Sequence, residues 1–197
     1  MKVTMARPRE FDTDDVLDKA MNAFWSGGYA ATSLADLTSA MGISKSSFYE
    51  TFGSKHELFL ATLERYGKTA AERTAVMLEK TAWAKGAIAS VFEFIIDNAT
   101  AEGERRGCFI NNCAVESASR DDAVASRVVG CLERLEAGFE NAVSRGQAAG
   151  DIAATHDSKT LARFLTSSMQ GLIVTAKANP DKQKLDDIVR VVLATLD

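Results

Sequence analysis

Proline is almost missing from this 197-residue chain, which has only Pro8 and Pro180. Proline ends helices by removing a backbone donor and clashing with the turn before it, so nearly everything between these two positions is free to be helical. No apolar run reaches the roughly 18–20 residues of a membrane-crossing helix. The first nine residues have charge but no hydrophobic stretch of the kind a secretory signal carries. Cysteine is scarce and odd in number, at Cys108, Cys113 and Cys131. Three thiols without an export signal suit a reducing compartment better than a disulfide framework, and a cytoplasmic location is expected. Histidine occurs only at His56 and His156, and no His/Cys/Asp/Glu cluster has metal-ligand spacing. Neither a metal nor a cofactor is expected.

A general excess of positive charge is missing as well. The 23 basic and 27 acidic residues leave a net charge of −4. That argues against a protein that coats nucleic acid indiscriminately, and any DNA-binding charge must be local. Two local sources exist. Lys2, Arg7 and Arg9 crowd the first nine residues without an acid, and Lys45 and Lys55 face only Glu50 between positions 43 and 56.

Apolar residues recur at helical spacing, and no strand candidate or internal repeat stands out, so the fold class is all-α with about nine helices. Asp12 or Thr13 can cap a first helix with Val16, Leu17, Ala20, Met21 and Phe24 inward, ended by Gly27-Gly28. A second starts at Thr32 or Ser33, where Ser33 and Asp36 have capping-box spacing, and ends at Gly42. Ser44 caps a third that carries Phe48 and Tyr49 and stops at Gly53. Ser54-Lys55-His56-Glu57 is a further capping box, opening a helix to about Lys80. Further helices are predicted at about 83–102, 109–118, 121–148, 158–178 and 181–196. Gly103, Gly107 and Gly150 mark breaks, and Asn179-Pro180 suits an N-cap with proline in the first turn.

Two short helices joined by a tight turn at Gly42 form a helix-turn-helix pattern. Leu34, Leu37, Met41, Ile43 and Phe48 supply its apolar contact, and Gly42 allows the reversal without a Cβ penalty. The outer face of the third helix then carries Lys45, Ser46, Ser47 and Tyr49 after the Ser44 cap. Small side chains let a helix approach the floor of a major groove, and hydroxyls and lysine bond to base edges and phosphates. Helix N-termini at Thr32/Ser33 and Ser54/Lys55 aim unpaired N–H groups outward, where phosphate oxygens bind, and Tyr49 offers a phenol to the same oxygens.

From about Phe11 to Phe59 the chain resembles the DNA-binding domain of the TetR family of bacterial regulators. The resemblance rests on Phe24, Gly28, Tyr29, Thr32, Ala35, Met41-Gly-Ile-Ser44, Phe48-Tyr49, Phe52, Ser54-Lys55 and Glu57-Leu58-Phe59. Thr38 departs from a usual small apolar residue, and Thr51 from a usual His or Tyr. The resemblance implies a DNA-binding domain over 1–54 and a helical ligand-binding and dimerisation domain over 55–197. It also implies a homodimer joined by its last two helices. On those helices Leu161, Leu165, Ser168 and Leu172, followed by Leu185, Ile188 and Val192, form stripes broad enough to need a partner. Intramolecular core is the alternative reading of the same stripes.

The expected function is that of a regulator that binds a palindromic DNA operator and leaves it when a small-molecule effector or reactive electrophile binds; it is not expected to be an enzyme. Trp83, Phe92, Phe94, Ile95, Phe109, Phe139, Phe164 and Met169 are candidates to line an effector pocket, although an ordinary core uses such residues too. Cys108 follows Arg105-Arg106 near a helix start, which favours a thiolate and makes it a candidate thiol sensor. A buried structural cysteine fits the same position. Two other functions fit parts of the pattern. A thiol-dependent enzyme using Cys108 would need a base that no His or acid is placed to supply, and a protein-interaction module would leave the lysine-and-hydroxyl face unexplained.

Overall fold

The computed structural model describes residues 11–101 and 106–197. The basic residues Lys2, Arg7 and Arg9, together with Pro8, Gly103 and Arg105, lie outside the described residues. Every regular element of the described part is helical. In order come α1 (Thr13–Gly27), α2 (Leu34–Met41), α3 (Lys45–Phe52), α4 (Lys55–Glu79), α5 (Ala84–Thr100), α6 (Phe109–Cys113), α7 (Asp122–Ala149), α8 (Ser158–Ala178) and α9 (Lys182–Ala194). A π-helical turn, Ala114–Ala118, follows α6 directly.

The helix starts follow capping chemistry. Asp12, Asp121, Asp157 and Asp181 each accept a backbone N–H from the first turn of α1, α7, α8 and α9. The last of these corrects one expectation. Asp181, not Asn179, caps the final helix, and Pro180 precedes the cap instead of opening the helix. The aspartate has the advantage because its carboxylate accepts the Lys184 N–H directly. The π turn was not foreseen, since its five residues continue the apolar spacing without a break.

The chain forms two compact units, one ending at Arg65 and the other beginning at Tyr66, so α4 contributes to both. In the first unit, Val16, Ala20 and Phe24 of α1 are buried together with Leu37 and Met41 of α2, Phe48 of α3 and Leu58 and Phe59 of α4. Phe24 meets Phe59 edge to face at 5.1 Å, and Tyr29 lies 4.5 Å from the Phe59 ring. Burying such a side chain stabilises the fold by about 1.5–3 kcal/mol. Arg65 ties α4 to α1: its Nε and Nη2 donate to the two carboxylate oxygens of Asp18 at 2.6 and 2.7 Å, and Nη1 lies 2.9 Å from Asp14. That bidentate contact holds the Asp18 carboxyl below its ordinary range, despite a smaller opposing effect of burial.

In the second unit α7 is the spine. α5, α6 and α8 pack on it, and α9 closes against α5 and α8. The α8 side chains that do this include Leu161, Leu165, Met169, Leu172 and Ala176, a repeat of three and four residues on one side of the helix.

Candidate nucleic-acid interface and ligand chamber

The turn between α2 and α3 is made by Gly42 at φ +69°, a backbone conformation that a side chain would strain. The start of α2 is fixed by a reciprocal box. The Ser33 hydroxyl accepts the Asp36 N–H at 3.2 Å, and the Asp36 carboxylate accepts the Ser33 N–H at 2.8 Å. These bonds to Ser33 hold the Asp36 carboxyl below its ordinary value. Ser44 caps α3 by accepting the Ser47 N–H at 3.1 Å, and its hydroxyl also lies 2.9 Å from that of Ser46 and 3.0 Å from that of Ser47. Ser54 accepts the Glu57 N–H at 3.0 Å at the head of α4.

With Phe48 fully buried as the anchor of α3, its neighbours point outward. Lys45 and Ser46 are exposed, and Tyr49 is 54% exposed. Its ring meets that of Phe48 edge to face at 5.3 Å, and the rest of the side chain is open to solvent. Ser47 is half-buried and shares the capping cluster. Lys55, in the first turn of α4, has its ammonium 4.5 Å above the Tyr29 ring, which steadies the charge at a helix end where N–H groups already point outward. Thr32 is the correction in this group. It is only 5% exposed and its hydroxyl donates to the Gly28 carbonyl at 2.7 Å, so its side chain secures the α1–α2 loop instead of facing a groove. Tyr29 went unremarked as a site residue because its part is to seat Lys55, a contact between residues 26 positions apart.

The second unit contains a chamber of about 100 Å³ drawn from α4, α5, α6, α7 and α8. Met169 and Cys108 line it, as do Phe94 and Ile95. The remaining pocket candidates lie elsewhere. Phe92 and Phe139 are fully buried and pack on each other at 6.3 Å, while Phe109 packs against the Tyr66 ring at 5.7 Å. Trp83 is 60% exposed and lays its ring across Gly86, where a Cβ would come within 2.2 Å of it. Phe164 is 43% exposed on the outer side of α8. Aromatic content alone does not distinguish wall from core, because both demand the same apolar bulk.

Cys108 occupies the N-cap of α6 and is buried. Its thiol lies against the Tyr66 hydroxyl, and burial, followed by that neighbour, pushes the Tyr66 phenol well above its ordinary value, so it remains protonated. Burial also pushes the Cys113 thiol up to about 12. Four polar chamber residues were missed by sequence reasoning: Tyr66, Arg73, Thr74 and Gln170. Gln170 did carry a signal, as a lone amide inside the apolar stripe of α8. Arg73 and Phe94 are the exposed members of the lining and mark its mouth, with the guanidinium 5.8 Å from the ring centre. The side-chain oxygen of Gln170 is buried and has no hydrogen-bond partner among the described residues.

The stripes assigned to dimerisation also need correction. Leu161, Leu165, Leu172, Leu185 and Val192 are buried within one chain, and Ser168 is half-buried. The large apolar side chains that α8 and α9 leave outward are Phe164, Val174, Ile188 and Val191, the last 69% exposed, and Ser167 and Gly171 of α8 are exposed as well. Of the seven predicted positions only Ile188 lies on that outward face. A helix packed on two sides carries two apolar stripes, and residue type alone does not say which one faces the chain's own core.

No helix among the described residues is long and apolar enough to cross a membrane, and none of these residues form a group that could hold a metal ion. The family model for bacterial regulatory proteins of the tetR family matches residues 16–62, and the model for tetracyclin repressor-like C-terminal domains matches residues 84–192. The chain is 36% identical to the uncharacterized HTH-type transcriptional regulator YezE of Bacillus subtilis, over 98% of this chain and 100% of YezE. It is 35% identical to the HTH-type transcriptional repressor ComR of Escherichia coli, over 98% of this chain and 92% of ComR. A cysteine mutant of the TetR family transcriptional regulator CifR, solved in complex with 26-base-pair double-strand operator DNA, superposes with a TM-score of 0.83. That match has 32% identity and covers 97% of this chain and 100% of the CifR chain. With both units matched and relatives aligned end to end, the chain belongs to the tetR family and is a helix-turn-helix, DNA-binding transcriptional regulator.

Proposed function

We propose that the protein is a cytoplasmic repressor that binds a palindromic operator as a homodimer and is released when a small molecule occupies the chamber of its second unit. The observation that carries this reading is the outward face of α3. Lys45, Ser46 and Tyr49 stand exposed while Phe48 locks the helix beneath them. Lys45, Ser46 and Ser47 would meet base edges and nearby phosphates. Tyr49, Lys55 and the backbone N–H groups after Ser33 would hold phosphates and set the register. Ser44 contributes as the cap that aims α3.

Two recognition helices must sit about 34–36 Å apart to enter successive major grooves, which a twofold dimer provides. Phe164, Val174, Ile188 and Val191 are the surface on which a second copy would pack, because an apolar face of this breadth is unfavourable in water. Release follows if the effector favours a conformation whose half-sites no longer match that spacing. α4 carries Lys55 at one end and chamber residues Tyr66 and Arg73 further along, so a shift of this helix would couple the two events. Cys108 adds a covalent route. An electrophile small enough to enter would meet its thiol, and a Cys108→Ser protein would then stay on the operator at a dose that releases the parent.

The test begins with duplexes selected from genomic fragments by the purified protein. Lys45→Ala and Tyr49→Ala should each weaken binding to the selected duplex at least about tenfold, with unchanged helix content and melting temperature. Parent-like affinity in both variants would remove α3 from the interface and with it the reading.

A further inference from the structure

The lining of the chamber divides by polarity and by depth. Most of the wall is apolar, built from residues such as Val91, Leu135, Met169 and Ile173, and only Arg73 and Phe94 in it are exposed to solvent. Arg73 is also the one charged group in the lining among the described residues, and no carboxylate lines it there. The acids close to it in sequence face elsewhere. Glu72 lies 3.9 Å from Lys68, and Glu93 and Asp97 of α5 act on Lys182 of α9. What Arg73 does meet is the Phe94 ring, 5.8 Å from the guanidinium carbon. That ring steadies the guanidinium over the rim and leaves its N–H donors for another group.

The charge of Arg73 is felt inside the chamber as well. Burial pushes the Tyr66 phenol up, and Arg73 is among the smaller influences that pull it the other way. A guanidinium on an open rim above an apolar wall matches a molecule with an apolar body and a carboxylate end. The body leaves water as it enters. The carboxylate stays at the mouth, where it keeps part of its hydration and meets Arg73 as a fork of parallel N–H donors. A cationic end would instead meet a like charge, with no carboxylate in the described lining to offset it. An open mouth sets no upper limit on the length of the molecule.

We propose that the chamber binds an apolar carboxylate, whose hydrocarbon body lies against the wall while its carboxylate pairs with Arg73 at the mouth. This rests on the effector reading for its biological sense but not for its physical test. Binding is measured on the full-length protein without DNA, by NMR titration at neutral pH and low salt with hexanoate, its neutral analogue hexanamide and n-hexylammonium. Hexanoate should bind at least about fivefold more tightly than hexanamide, and n-hexylammonium more weakly than either. Because the mouth is open to water, the advantage of hexanoate should shrink as salt is raised.

Arg73→Gln, which keeps a polar side chain and removes the charge, should bring hexanoate and hexanamide to within about twofold of each other. Arg73→Lys should keep hexanoate ahead by a smaller ratio, since a point charge replaces the fork. Ala70→Leu, which adds bulk to the wall from α4, should weaken both ligands together. Melting and circular dichroism establish that each variant folds; should Ala70→Leu not fold, the parent and the exposed Arg73 variants decide alone. The proposal is overturned if hexanoate does not bind, if hexanamide equals it in the parent, or if the ammonium binds best. It is equally overturned if a folded Arg73→Gln keeps the preference, or if a folded Ala70→Leu binds hexanoate as the parent does. Release of the operator duplex by hexanoate is read separately: binding without release would remove the effector reading and leave the ligand class standing.

Discussion

The two units of this molecule build their functional surfaces by different means. In the helix-turn-helix unit, the bonds that aim the exposed groups are local: Ser33 with Asp36, Ser44 with Ser47 and Ser54 with Glu57 each span three residues. The chamber of the second unit depends on partners far apart in sequence. Asn111 donates to the Gln170 carbonyl 59 residues away, and Arg145 donates to the Leu78 carbonyl across 67. A surface aimed by caps is written in short motifs, whereas a cavity exists only after five helices have packed. The first should therefore tolerate changes in its outward side chains without unfolding, and the second should lose stability when the rings packed behind its walls are removed.

The sharpest way to break that contrast is to remove one buried ring from each unit. Phe48→Ala and Phe92→Ala should each cost about 3–5 kcal/mol, since both rings are fully buried. Residue-resolved hydrogen exchange should show protection lost chiefly in α2 and α3 for the first, and in α5 and α7 for the second. Uniform loss in both would mean the units unfold as one.

A smaller effect, about 2 kcal/mol, is expected when an outward ring is removed. Phe164→Ala should weaken self-association in sedimentation experiments while leaving helix content intact, because Phe164 is exposed within its own chain. Loss of monomer stability instead would put the ring back in the core.

Next comes the Arg65 network inside the first unit. Asp18→Asn should destabilise that unit by about 1 kcal/mol, a figure reduced for solvent screening because both partners are partly exposed. The Asp18 carboxyl titrates lower in the folded state than its ordinary 3.8. Its contribution is thus present in full above that ordinary value and is lost as pH falls through the lower folded value. Denaturation of parent and variant should differ by a constant amount from neutral pH down to about 4 and converge below it.

The mildest change concerns the phosphate clamp. Lys55→Ala should lower the slope of log affinity against log salt by about 0.9 for each phosphate left without its cation. Tyr29→Leu, which removes only the ring beneath the ammonium, should act in the same direction by less. An unchanged slope in Lys55→Ala would take that lysine off the backbone.

The legibility of the sequence followed the same division. Helix positions came through nearly intact: the stretch predicted at 121–148 is α7 at Asp122–Ala149, and 158–178 is α8 at Ser158–Ala178. Caps and glycines act within a few residues, so a linear reading sees them. The errors arose where one residue type serves two purposes. Thr32 has a hydroxyl suited to DNA, but the fold spends it on the Gly28 carbonyl. Leu165 and Leu172 look like interface leucines, yet α8 turns them toward the chain's own core and leaves Phe164 and Val174 outside. Trp83 has the bulk of a pocket wall and instead covers Gly86.

By itself, the sequence determined that the chain is all-α, where its helices start, and that Lys45 and Tyr49 stand on a short helix after a glycine turn, because these follow from periodicity and capping within a few residues. Only the tertiary structure decided which side of α8 faces inward, which rings enclose a space instead of filling one, and that the Gln170 side-chain oxygen is buried without a partner among the described residues. Those outcomes depend on how whole helices pack side by side, and packing is set by the summed shape and burial of residues that lie far apart along the chain.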